Sequence, residues 1–500
     1  MKNLLARGAV WIAATRTVIN LIGFCSTLLL ARLLLPEDFG LVAIANTVIL
    51  ILTSVTEISL TSALVQHKDP SDDHYDTAFT LGAIRALILA AVAALLAWPI
   101  ASAYGDDRLV ALILAFAAAS ALGGFNNPKL AQFTRALIFH QEFILGLSAK
   151  LLGFIGAAII AIVWHSYWAL LVGSLVSQLS NLIVSYALVR YKPRLSLGKA
   201  REILSFSVWL TLSQVVTTLN YRFDTLFLGM FVGKTPLGHY SFGDNLANMV
   251  TREATSPVAN TLFPAFARLT DNIDRMRSAY FKSQGVLFAI AFPIGAGFAM
   301  VAEPLILLTV GEKWRGAIFV VQIIAATTGW SAISATYMPL AMAMGQTRAV
   351  FNRDLISFAT RIPILVLGLW AGGLVGFVYA RVIAATIGVV LNMLLIRSLI
   401  GVNVRCQFSA NIRPIIAAGA MVLILLVVRQ QMAVFQTTTT MQLLGLALQV
   451  ALGGAVYVLA TWAAWTVWGR PDGVESEIAA VIARITKGAG ATTQATATIE

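Results

Sequence analysis

Charge is scarce in this 500-residue sequence: Asp, Glu, Lys and Arg supply 12% of it, against about 25% in an ordinary globular chain. A soluble fold of this length would have to coat several domains with half the usual number of charges. Cysteine is nearly absent. Cys25 and Cys406 are the only two, too few for a disulfide framework or a Cys-based metal site. Acidic residues are the scarcer sign, 23 against 35 basic, for a net +12. The basic residues are dispersed between apolar runs and form no dense patch, which excludes nucleic acid as a partner. No Walker-type phosphate loop occurs, so ATP does not drive the protein directly. What remains is apolar: 58% of the residues are hydrophobic and the mean hydropathy is +0.82. That excess must face lipid.

A bilayer core of about 30 Å takes about 20 predominantly apolar residues per helix. Fourteen segments fit: 9–35, 39–64, 77–98, 108–125, 143–163, 167–190, 203–232, 238–266, 283–305, 316–342, 353–373, 374–397, 412–430 and 441–468. The expectation is an all-α polytopic membrane protein. Connections are short, and only the tail from Gly469 is polar. The amino terminus is read as an uncleaved first helix, because its apolar stretch runs past signal-peptide length and contains Arg16 and Asn20. With that terminus in the cytoplasm, the inside loops collect about 22 basic residues and the outside loops about six, a bias of the positive-inside kind. Both termini are then cytoplasmic.

Shifting residues 9–40 forward by 198 positions lays them on 207–238 without a gap and gives 8 identities in 32 positions, among them Trp11 with Trp209 and Gly40 with Gly238. The shift spans six helices, so both copies insert in the same direction, as in transporters built from parallel repeats. The implied domains are an N-lobe of residues 1–200, a C-lobe of 201–400, two further helices in 401–469 and a polar tail in 470–500.

Three stretches carry a resemblance. They are Gly8-Ala-Val-Trp11 followed by Leu30–Gly40 (LARLLLPEDFG), then Leu262–Leu269 (LFPAFARL), then Gly311–Arg315 (GEKWR). The sequence resembles the bacterial polysaccharide flippases of the multidrug/oligosaccharidyl-lipid/polysaccharide superfamily. The resemblance implies two six-helix lobes around a central cavity and no cofactor. It also implies an undecaprenyl-pyrophosphate-linked oligosaccharide as cargo, an inner-membrane location and a polysaccharide polymerase as a partner.

Seven basic residues lie well inside the segments, Arg16, Arg85, Lys150, Arg222, Arg252, Arg361 and Arg381, against four acidic ones, Glu57, Asp224, Asp244 and Glu253. Charge at bilayer depth is expensive and marks function or pairing. The surplus of +3 suits a pyrophosphate, whose oxygens match the guanidinium fork. Arg16, Arg85, Lys150, Arg361 and Arg381 are near enough to helix ends to snorkel, so each is either cavity lining or an anchor. Arg222, Asp224 and Arg252 are deeper and are either cavity residues or interhelical bridges. Asn220 and Asp224, four apart, share a face from which Arg222 points away. The candidate substrate-binding set is therefore Arg222, Arg252, Asp224, Arg16, Arg85 and Arg361, with no catalytic and no metal-binding residue.

Pro293, Pro339, Pro363, Gly295, Gly297, Gly372 and Gly373 are either hinges or ordinary membrane-helix residues. The acidic cluster Asp69, Asp72, Asp73 and Asp76, with His67 and His74, reads as a solvated cytoplasmic loop rather than a cation site. Trp462, Trp465 and Trp468 read as an interfacial belt. Two other functions compete. A multidrug antiporter would want a carboxylate-rich cavity for cationic cargo, the reverse of the surplus. A polytopic glycosyltransferase or polymerase would need catalytic groups in substantial outer loops, which are short here.

Overall fold

The computed structural model describes residues 2–56, 60, 64–65, 69–135, 139–204, 208–432 and 438–469. These residues hold helices and no strand. The long rods are α1 (Lys2–Leu33), α2 (Pro36–Thr56), α3 (Asp72–Tyr104), α4 (Arg108–Phe125), α5 (Phe139–Trp164), α6 (Trp168–Leu188), α7 (Val208–Phe231), α8 (Lys234–Ala267), α9 (Ile273–Thr309) and α10 (Glu312–Ala343). Helix Thr347–Ile400 follows as two limbs, α11 (347–371) and α12 (374–400), and then come α13 (Ile412–Met432) and α14 (Thr439–Val467). Ten helices among the described residues, with 347–400 taken as one, are long and apolar enough to cross a bilayer. The chain is a multi-pass membrane protein. Helices α7 and α8 are as long but more polar, Val18–Leu33 of α1 is apolar, and these three helices carry most of the intramembrane charge.

The expected segments are recovered, and the differences lie at their ends. Helix α3 starts at Asp72 rather than 77, and α9 at Ile273 rather than 283. Hydropathy marks where a helix is apolar, whereas its start is set by a cap. At α3 the Ser71 backbone N–H donates to His74 Nδ1 at 3.2 Å, satisfying the cap residue's own amide. At α2 the start is written in the sequence Pro36-Glu37-Asp38. Proline suits the first helical position, the acidic pair complements the helix dipole, and Asp38 Oδ2 accepts the Leu35 N–H at 2.9 Å.

Helix 347–400 reverses at Gly372-Gly373, where Gly373 has φ 55° and ψ −138°, a conformation open essentially to glycine. The two glycines form a turn between spans. Helix α10 is irregular at Ala332–Thr336, and its loosened backbone is held from outside. Gln284 Nε2 donates to the Ile333 carbonyl at 2.7 Å. Gln284 and its neighbour Gln407 are fully buried, and the Tyr280 hydroxyl donates to Gln407 Oε1 at 3.0 Å. Backbone polar groups at bilayer depth need such partners where a helix is broken.

By internal contacts the chain forms two compact units. One comprises residues up to Gly243 together with Thr309–Ala317; the other comprises Asp244–Leu308 and residues from Ile318 onward. In the first unit the acidic cluster of residues 69–76 is more than a solvated loop. Asp76 accepts from the Tyr191 hydroxyl at 2.6 Å, Asp73 from Ser196 at 2.6 Å, and Asp72 pairs with Lys129 at 2.7 Å. The first two of these bonds strap segment 191–199 against the start of α3. His67 lies outside the described residues. In the second unit, Trp462 is exposed near the end of α14 and Trp468 just past it.

Candidate functional site

The first and third family motifs meet in the first unit, at one end of its helices. The last carbonyls of α1 lack intrahelical donors, and the residues after α9 supply them. Trp314 Nε1 donates to the Ala31 carbonyl at 2.6 Å, and Lys313 Nζ to those of Arg32 and Leu34 at 2.6 and 2.8 Å. A cation there also complements the negative end of the helix dipole. Trp314 is fully buried, between the rings of Phe39 and Phe242 at centroid distances of 5.0 and 4.4 Å. Nearby, Arg108 donates to Glu37 at 2.7 Å and to Asp106 at 2.8 Å, and Lys234 also bonds Asp106. The Arg108 guanidinium, aided by Lys234, holds the Asp106 carboxyl well below the usual carboxylate range.

The repeat is visible in this cluster. Its 198-residue offset carries Pro36 onto Lys234 and Gly40 onto Gly238. A Cβ on Gly40 would run into the Lys234 carbonyl, and one on Gly238 into the Pro36 carbonyl. The contact is reciprocal, as two copies meeting about a twofold axis require. We call this cluster the clasp.

Away from the clasp, the predicted residues fare differently from one another. Asp224 of α7 is 2% exposed and accepts the Tyr240 hydroxyl at 2.6 Å. Arg222, two residues earlier, is exposed, and its guanidinium has no partner among the described residues. Arg85 of α3 is half-buried and donates to the Thr53 carbonyl at 3.2 Å. The side chain of Arg16 and all of Glu57 lie outside the described residues. In the second unit Arg252 of α8 is exposed and likewise without a partner among the described residues, while Arg361 is half-buried. Candidates on α3 and α7 thus fall in one unit, and those on α8 and α11 in the other.

Arg381, counted in the sequence only as part of the surplus, has a carboxylate to answer it. It donates to Asp244 Oδ1 at 2.6 Å; Asn248 Nδ2 donates to the same carboxylate at 2.7 Å, and Thr328 to Asn248 Oδ1 at 3.1 Å. This chain links α12, α8 and α10. Sequence reasoning missed Tyr240, Asn248 and Thr328 because it followed charge. The four-residue spacing of Tyr240, Asp244 and Asn248 was the signal available.

A family model described as polysaccharide biosynthesis protein matches residues 29–319, more than half of the chain. The succinoglycan biosynthesis transport protein ExoT of Rhizobium meliloti is 26% identical over 460 residues, 91% of this chain and 92% of the relative. The lipopolysaccharide biosynthesis protein WzxC of Escherichia coli is 24% identical over 416 residues, 82% of each. Among solved structures, the lipid II flippase MurJ in an inward closed conformation superposes with a TM-score of 0.71 over 92% of this chain and 99% of its own, at 13% identity. That likeness establishes a shared fold. With the clasp motifs inside the matched region, the chain belongs to the polysaccharide biosynthesis protein family.

Proposed function

We propose that the protein is a flippase that carries an undecaprenyl-pyrophosphate-linked oligosaccharide from the cytoplasmic to the periplasmic leaflet of the bacterial inner membrane by alternating access. The observation that carries this reading is the pair Arg222 and Arg252, exposed and unpartnered among the described residues of a chain in this family. An arginine facing hydrocarbon costs at least about 2.5–3.5 kcal/mol. These guanidinium groups therefore face water or an anion, and their planar fork fits phosphate oxygens. Asp224, Arg16, Arg85 and Arg361 complete the proposed substrate-binding set. The relatives' roles in succinoglycan and lipopolysaccharide biosynthesis support a saccharide cargo.

In this reading residues 1–200 and 201–400 act as two lobes, with 401–469 appended. The clasp joins the lobes' ends, which is why a compact unit crosses their boundary. The positive-inside bias turns the clasp to the periplasm and both termini to the cytoplasm. The protein moves its cargo without altering it, and a polysaccharide polymerase receives the exported unit.

Polymer export per membrane-inserted molecule, measured in a strain lacking the chromosomal copy, tests the headgroup site. Arg222→Gln and Arg252→Gln should each lower it about tenfold or more, the weight of one charge-assisted hydrogen bond. Arg→Lys should restore part, since charge survives and the fork does not. Normal per-molecule export in both Gln variants would remove the assignment. Reporter fusions after Arg201, Arg277, Arg353 and Arg405 should report cytoplasm, and those near Asp107 and Lys313 periplasm; the reverse would overturn the orientation.

A further inference from the structure

A span that faces lipid hides its polar residues and shows its apolar ones. Helix α3 does so: Thr77 and Thr80 are buried, while Leu87, Leu95 and Trp98 are exposed. Helix α8 does the reverse over residues 243–259. At 3.6 residues per turn, Asn245, Asn248, Arg252, Ser256 and Ala259 fall on one face, and Gly243, Leu246 and Ala247 point the other way. The second set is buried, Leu246 and Ala247 completely. In the first set Asn245, Arg252 and Ala259 are exposed, and Asn248 and Ser256 are half-buried. The helix therefore packs inward through its small and apolar residues and opens outward through two amides, a guanidinium and a hydroxyl. Such a face finds no partners in hydrocarbon. It faces water.

Most of the neutral polar groups on this face are already engaged. Asn248 donates to Asp244 at 2.7 Å and accepts from Thr328 at 3.1 Å. Beyond Arg252, toward the end of α8, the Thr255 hydroxyl turns back to the Thr251 carbonyl at 3.0 Å, and Ala259 brings no polar group. On the other side of Arg252, Asn245 is exposed and its amide has no partner among the described residues. It lies seven residues before Arg252, two turns away on the same face and about 10 Å along the axis. Sequence reasoning passed over it because it carries no charge.

We propose that Asn245 is a saccharide contact: with the pyrophosphate held at Arg252, the glycan runs along α8 toward the start of the helix, and the Asn245 amide hydrogen-bonds its hydroxyls. An amide has two donors and an acceptor oxygen with two lone pairs. It therefore suits hydroxyls, which both give and accept hydrogen bonds, whereas a pyrophosphate is better held by a cation. This assignment rests on the flippase reading for the presence of a glycan, and the experiment keeps the two apart.

In a Cys25→Ser, Cys406→Ser background, single cysteines replace Asn245, Ala259 and, as apolar controls, Leu87 and Ile183, each of the last two 66% exposed. Ser241→Cys, one turn before Asn245 on the same face, stands in if Asn245→Cys does not accumulate and is read by the same criteria. The full-length protein is held in lipid nanodiscs, so that a charged, membrane-impermeant thiol reagent reaches it from both sides. Thiolates form in water, so positions 245 and 259 should label at least about tenfold faster than 87 and 183. The nanodiscs are then prepared with undecaprenyl pyrophosphate or with the host's own lipid-linked oligosaccharide. Labelling at 245 should slow with the oligosaccharide lipid and not with the bare pyrophosphate lipid. Labelling at 245 no faster than at the controls overturns the water-facing stripe. Equal slowing by both lipids assigns position 245 to the phosphate, slowing by neither removes the glycan from it, and slowing at 259 in place of 245 sends the glycan the other way; each overturns the proposal. Polymer export by the unmodified protein, in a strain that makes the cargo and lacks the chromosomal copy, is measured in parallel. Normal export leaves the flippase reading standing whatever the labelling shows, and its absence brings that reading down separately.

Discussion

At the clasp, Arg108 meets the carboxylates of Glu37 and Asp106, and Lys234 joins them; on α7, Arg222 meets nothing among the described residues. Both regions belong to one compact unit, so the contrast is not one of overall packing. Charges at the clasp cap helix ends, answer one another and border a buried aromatic cluster. Those along the spans are left open among the described residues, as Arg222 is, or meet an oppositely charged group, as Arg381 meets Asp244. Charge paired at a helix end is structure; charge left open along a span is where the proposed substrate site would lie. The variants that follow should break stability at the clasp and function along the spans.

The largest effect is expected for Trp314→Ala. The side chain is fully buried, donates to the Ala31 carbonyl and lies against two phenylalanine rings. Truncation of a buried tryptophan costs about 3–5 kcal/mol. Thermal unfolding in detergent should shift sharply downward and membrane abundance should fall. Full abundance with an unchanged unfolding temperature would mean that the clasp is not what holds these helix ends.

Next comes a comparison of two arginines. Arg381→Gln leaves the Asp244 carboxylate without its cation, at a cost of about 2 kcal/mol for a partly buried pair. Arg222→Gln removes a charge that no described residue answers, so abundance should hold while export falls. The double variant Arg381→Gln, Asp244→Asn should recover part of the stability that the single one loses. Equal losses of abundance for Arg222→Gln and Arg381→Gln would erase the distinction between paired and open charge.

A smaller pair of effects tests the reciprocity of the glycines. Gly40→Ala and Gly238→Ala each push a Cβ against the other copy's carbonyl, an overpacking of about 1–3 kcal/mol. Their unfolding shifts should agree closely because the two contacts are copies of one another. A large effect at one and none at the other would leave the repeat as a sequence coincidence.

Much of this architecture was legible in the sequence. Fourteen apolar segments anticipate the rods, because a bilayer imposes a length on every spanning helix. Pro36-Glu37-Asp38 announces a helix start, and the match of Gly40 to Gly238 foretells a contact between backbones. What escaped notice was local or neutral. The starts of α3 and α9 follow caps that hydropathy does not register. Tyr240, Asn248 and Thr328 carry no charge and attract no attention until their hydrogen bonds tie them to Asp224, Asp244 and Asn248. The Arg381–Asp244 pair joins residues 137 positions apart, a distance over which no periodicity speaks.

The smallest expected effect is a pH dependence at Asp106. Its carboxyl sits well below the ordinary range, chiefly because Arg108 donates to it and secondarily because of Lys234. A depressed folded value means that the unfolded chain binds the proton more readily, so this group's stabilisation is complete above the ordinary value of about 3.9 and is lost as pH falls toward the folded value. Arg108 is 41% exposed, so water screens the pair and the contribution is about 1 kcal/mol. Comparing the unfolding temperatures of the protein and its Asp106→Asn variant isolates it. The gap between them should be constant from pH 8 to about pH 5 and should narrow below about pH 4 as the wild-type carboxylate is protonated. Widening of the gap on acidification would reverse the sign and exclude Asp106 as the charge that Arg108 and Lys234 share. A constant gap down to pH 3 would trace the difference to the hydrogen-bond geometry of the amide rather than to the carboxylate's charge.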